Sequence, residues 1–74
     1  MKQTKYLTIG EDRFRIVKSK IESNSNYNHS LRLFKIGDKT PILGYLIKES
    51  DSIKNEIPYL TKRIKEIDSN VNLF

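Results

Sequence analysis

His29 is the one histidine of this 74-residue chain. It is the natural place to look for acid–base or metal chemistry, because imidazole changes charge near neutral pH. Both kinds of chemistry need partners, and the chain has no cysteine to supply a thiolate. The residues around it, Glu22 to Ser30 (E-S-N-S-N-Y-N-H-S), read as a mobile polar loop that leaves His29 solvated. Glu11-Asp12 is an acidic pair in a turn, and adjacent strand residues point to opposite faces. Serines are plentiful, but there is no Gly-x-Ser-x-Gly elbow. Gly10 and Gly37 are isolated turn glycines, far from a phosphate-cradling loop. The expectation is a protein that is not an enzyme, with no catalytic residue, metal or cofactor.

The cations are more informative. The net charge is +5, and it sits in the first half. Residues 1–37 carry Lys2, Lys5, Arg13, Arg15, Lys18, Lys20, Arg32 and Lys35 against Glu11, Asp12 and Glu22, a net +5, whereas residues 38–74 are balanced. A basic half attracts phosphates or an acidic protein surface, and salt weakens that attraction. Lysine is also the ordinary solubilising residue of a Lys-, Ile- and Asn-rich chain, so the asymmetry is a hint rather than a motif.

These residues need elements to hold them. Lys5 to Ile9 has the β-branched and aromatic content of a strand, and Gly10-Glu11-Asp12 is a turn. A second strand is expected over 13–21, with Phe14 and Ile16 alternating against Arg13 and Arg15. The alternation then slips, because Val17 falls on the arginine face and Lys18 on the phenylalanine face. A bulge near Val17–Ser19 would restore one apolar face; alternatively this end of the strand leaves the core. A third strand covers 31–36, Gly37 to Pro41 turns, and a fourth strand covers 42–48. The fourth is apolar on both sides, which places it inside the sheet or in an interface. Gly44 within it suggests a bulge or a close backbone approach.

Ile53, Ile57, Leu60, Ile64, Ile67 and Val71 then recur at steps of four and three, one apolar stripe on a helix over about 52–68. Pro58 fits if Asn55 caps the main helix, with Asp51 or Ser52 capping a lead-in turn. The fold class is therefore α+β: a four-stranded antiparallel sheet (β-β-β-β-α) with one C-terminal helix on one face. At this length it is a single domain, 1–74, with a modest core, so a homodimer is expected. No secretory leader is expected from the first residues, and no apolar run reaches the roughly 20 residues a membrane span needs. With no cysteine, the expected localisation is the cytoplasm, with no membrane partner.

Two surfaces could carry function: the chain's tail, which gives the leading expectation, and a basic face of the sheet, which gives the alternative and is taken first. If Phe14 and Ile16 face the helix, Arg13 and Arg15 face outward. Together with Arg32, Phe34 and a nearby Tyr45 they have the makeup of a single-stranded nucleic-acid platform, arginines on phosphates and rings on bases. Phe34 and Tyr45 would serve as well in the core or a dimer contact. The element order is similar to that of the Whirly-type single-stranded DNA binders, which act as dimers; the likeness is one of topology alone.

The second surface is the tail, Asn70-Val71-Asn72-Leu73-Phe74. It resembles the peptide with which bacterial replication proteins dock on the sliding clamp, the beta subunit of DNA polymerase III: Gln, Leu, Ser or Asp, then Leu-Phe. Leu73 and Phe74 match the pocket-filling pair, Val71 substitutes for the second-position Leu, and Asn70 stands where Gln is usual. The same three apolar residues could instead fold back to cap the core or fill a dimer interface. In size and composition the chain also resembles the small host-takeover proteins of phages of low-GC Gram-positive bacteria. That resemblance implies a clamp inhibitor that blocks DNA loading or partner access, acting in the host bacterial cytoplasm. Val71, Leu73 and Phe74 would be its anchors, with Arg13, Arg15 and Arg32 giving electrostatic complementarity.

Overall fold

A computed structural model describes the backbone of residues 2–72 and the side chains of residues 2–67. It contains β1 (Lys2–Ile9), β2 (Asp12–Lys20), β3 (His29–Lys35), β4 (Leu43–Ile47) and α1 (Ile53–Asn72). The strands form one antiparallel sheet in the order β1-β2-β3-β4, followed by one helix, as the periodicities indicate. No helix among the described residues is long and apolar enough to cross a membrane.

The turns set the register. Ile9 pairs with Asp12, leaving a two-residue loop in which Gly10 has φ +62° while Glu11 stays at negative φ. That is the signature of a type II′ hairpin, whose twist matches that of the flanking strands. Between β3 and β4 the Asp38 amide donates to the Lys35 carbonyl at 3.0 Å, with Gly37 at φ +95° in the position a type II turn reserves for glycine.

Alternation then sorts the residues. Phe14, Ile16, Leu31, Leu33 and Ile47 share one face and form the core with Ile53, Leu60 and Ile64 of α1. Leu7, Ile9, Leu43, Tyr45 and Ile57 pack at its margin. Ser52 caps the helix: its Oγ accepts from the Asn55 amide at 3.2 Å. The cap therefore lies three residues earlier than Asn55, and Pro58 sits inside the helix, where it has no amide to give the Lys54 carbonyl.

Four other expectations are corrected. The β2 register runs unbroken from Asp12 to Ser19 against β1, so there is no bulge. Val17 stays on the arginine face and is nonetheless buried, and Lys18 is buried on the core face. The Lys18 ammonium donates to the carbonyls of Glu49 at 2.8 Å and Asp51 at 2.6 Å, so the cation is satisfied by the chain entering the helix. His29 opens β3 opposite Ile47 and is buried, its Nδ1 lying 2.7 Å from Asn28 Oδ1, rather than standing in a solvated loop. Finally, β4 is an edge strand, which excludes the inside of the sheet, one of its two expected places. It tolerates apolar residues on both sides because one face meets the helix while Leu46, on the other, is exposed. The helix backbone also continues through Asn72, past the break expected after residue 68.

Candidate macromolecule-binding face

The helix covers one side of the sheet only. The other side carries Lys2, Thr4, Tyr6 and Thr8 from β1, Arg13, Arg15, Val17 and Ser19 from β2, Ser30, Arg32 and Phe34 from β3, and Gly44 and Leu46 from β4. Cross-strand partners share a face, so these form rows about 7 Å apart along the strands. One row reads Tyr6, Arg15, Phe34; the next reads Thr4, Val17, Arg32, Gly44; a third reads Lys2, Ser19, Ser30, Leu46.

Lys2, Arg13, Arg15 and Arg32 are thus held on a face on which the four strands place no Asp or Glu. The ion pairs among the described residues lie elsewhere, Lys35–Asp12 and Arg63–Glu66, each at 3.7 Å. Lys2, Arg15, Val17, Ser19, Arg32 and Phe34 line a shallow concavity of about 210 Å³. Gly44 lies opposite Arg32, and a Cβ added there would stand 3.5 Å from Arg32 Cγ and 3.4 Å from the Leu31 carbonyl, ordinary contact distances.

The aromatic residues divide differently from the sequence expectation. Phe34 is on this face but only 8% exposed, because the Arg15 guanidinium lies 4.6 Å above its ring centroid in a cation–π stack. Tyr45 is on the opposite side. It pairs with Leu31, its hydroxyl donates to Glu56 Oε1 at 2.9 Å, and its ring meets Tyr59 edge-on at 5.5 Å. Burial, and then the Glu56 carboxylate, push its phenol well above the ordinary tyrosine range. Tyr45 is therefore a helix-docking residue and leaves the proposed platform. The free ring on the open face is Tyr6, 61% exposed. Neither Tyr6 nor Lys2 was singled out from sequence, although the turn register places Tyr6 directly opposite Arg15.

Arg13, Arg15 and Arg32 come together on one face, and Arg15 and Arg32 share the concavity. Val71, Leu73 and Phe74 lie outside the residues whose side chains are described. Ser19 Oγ and Ser30 Oγ are 3.2 Å apart, and the strands place no carboxylate or histidine on this face. No group of three or more His, Cys, Asp or Glu able to hold a metal ion occurs among the described residues. The arrangement can bind an anion.

No known protein family, curated protein or solved structure matches this chain.

Proposed function

We propose that this protein is a non-enzymatic binder of single-stranded nucleic acid that lays the strand across the open face of its sheet. The observation that carries the reading is the face itself: Lys2, Arg13, Arg15 and Arg32 with no opposing carboxylate, beside the exposed Tyr6 ring. Charge without a partner attracts a polyanion, and an exposed ring stacks a base of any identity. Arg15 is held over Phe34, 4.6 Å from the ring centroid, so less freedom is lost when it takes a phosphate. The binding needs no cofactor.

An acidic protein surface, such as a sliding clamp of a host replication machinery, is the second reading. One observation favours it: with Phe34 under Arg15 and Tyr45 on the other face, the surface offers more charge than open ring. The Tyr6→Ala variant separates the two. Under the nucleic-acid reading it weakens a labelled oligonucleotide by about 1–3 kcal/mol, the contribution of one stacked base, in a fluorescence-anisotropy titration. If the wild type leaves oligonucleotides unbound and captures purified clamp, the second reading replaces the first.

A further inference from the structure

We propose that two copies of this chain pair antiparallel along the outer edge of β1, with Tyr6 opposite Tyr6 at the two-fold axis, to give one continuous eight-stranded sheet. The pairing does not rest on the nucleic-acid reading.

The hydrogen-bond pattern shows which groups are on offer. The Ile36 amide donates to the Arg13 carbonyl at 3.0 Å, so the odd residues of β2 bond toward β3 and its even residues toward β1. Through the β1 register, Gln3, Lys5, Leu7 and Ile9 spend their backbone groups on β2. The amides and carbonyls of Lys2, Thr4, Tyr6 and Thr8 therefore point out of the sheet, unpaired among the described residues. The edge is 8 residues long, without proline and without a bulge. Natural proteins blunt such an edge or pair it. The opposite edge is blunted: β4 has 5 residues, and the Lys48 amide just past it is taken by Asp51 Oδ2 at 3.0 Å.

A second copy fits because the edge is self-complementary with the axis at Tyr6. With the axis at Tyr6, the outward-pointing residues meet as Thr4 with Thr8, Tyr6 with Tyr6 and Thr8 with Thr4, each pair exchanging both backbone bonds. On the helix-covered side Lys5 falls opposite Leu7 and Gln3 opposite Ile9, so the lysine stem lies along half-buried Leu7. Lys2 reaches the Gly10-Glu11 turn of the second copy, where Glu11 supplies an opposite charge. Moving the axis to Lys5 would set two lysines face to face, and moving it to Thr4 would carry Thr8 and Ile9 past the end of the partner strand. The two-fold stands perpendicular to the sheet. Both helices therefore lie on one side, and the two open faces join with Arg13 and Arg15 flanking a central pair of Tyr6 rings.

The full chain has no cysteine, so single cysteines report register cleanly. Directly opposite residues stand about 5.5 Å apart at Cα, within disulfide reach, whereas residues displaced by four positions do not. Under mild oxidation Tyr6→Cys is expected to give a covalent dimer and Thr4→Cys none. Sedimentation equilibrium of the unmodified chain is expected to show a concentration-dependent dimer. Thr4→Pro removes an outward amide that β2 does not use, and by symmetry breaks two inter-copy bonds. It should keep its circular dichroism spectrum and weaken the dimer roughly tenfold or more. A chain that stays monomeric throughout, or cross-linking at position 4 that equals or exceeds that at position 6, overturns the proposal.

Discussion

Lys18 offers the sharpest test of how the fold closes. Its ammonium is buried and bridges the carbonyls of Glu49 and Asp51 at 2.8 and 2.6 Å, tying the middle of the sheet to the segment that starts the helix. Lys18→Met keeps the aliphatic stem and deletes the donor. A hydrogen bond from a charged donor contributes about 1.5–3 kcal/mol, so two would give roughly 3–6. Glu49 is exposed and Asp51 half-buried, so water can reach part of the freed carbonyls and the expected loss is about 2–4 kcal/mol. A domain of this length has only roughly 4–11 kcal/mol in total, so the variant should melt some 10–30 °C lower, taking about 4–8 °C per kcal/mol. Urea unfolding followed by circular dichroism, with thermal melts, measures both. Lys20→Met, exposed and two residues along the same face, should stay within about 0.5 kcal/mol of the parent. A Lys18→Met loss below about 1 kcal/mol, the worth of one neutral bond, would refute the idea that this cation clasps the helix entry.

Other consequences follow from single residues. Pro58→Ala returns an amide to the Lys54 carbonyl inside α1, so it should stabilise the protein by about 1–3 kcal/mol in the same unfolding assay; no gain would mean the helix is bent there to suit its sheet. Tyr45→Phe removes the bond to Glu56 Oε1 and should cost about 1 kcal/mol at neutral pH. Because the folded state raises the Tyr45 phenol pKa above its unfolded value, this group's contribution is complete below about pH 10 and fades as pH climbs from there toward the folded value. Tyr45→Phe should therefore flatten the alkaline decline in stability and remove the latest-ionising part of the tyrosine absorbance titration. An unchanged titration would contradict the Tyr45–Glu56 contact.

The fold is legible in the sequence where one face of an element is apolar and the spacing is regular. Ile53, Leu60 and Ile64 are buried against Phe14, Ile16, Leu31 and Leu33, as steps of four and three against steps of two require. It is illegible where a polar residue is satisfied by something distant in sequence. Lys18 looks like a break in the pattern until the Glu49 and Asp51 carbonyls, more than thirty residues away, are seen to hold it. Val17 looks misplaced until its neighbours Arg15, Arg32 and Phe34 are seen around the same concavity. Local propensity could not have shown either. The arginine face was legible from alternation alone, since Arg13 and Arg15 share a parity and Phe14 and Ile16 the other. For Tyr45 the pattern leaves the face open, since its strand is apolar on both sides, and only the Leu31–Tyr45 pairing fixes which side it takes. Tyr6 could have been found by counting back across the hairpin from Ile9 and Asp12.

The central claim is that an uncovered, carboxylate-free sheet face binds a polyanion, and the salt dependence of oligonucleotide binding tests it most directly. For a single strand the slope of log K against log salt is about −0.7 per cation engaged. Lys2, Arg13, Arg15 and Arg32 together therefore give roughly −2.8 per chain, and replacing Arg15 and Arg32 by Gln should reduce its magnitude by about 1.4. Arg63→Gln, on the helix and paired with Glu66, should leave the slope where it was. Binding with a slope that the Arg15/Arg32 substitution does not change, or that Arg63→Gln reduces just as much, would contradict the assignment of the open face.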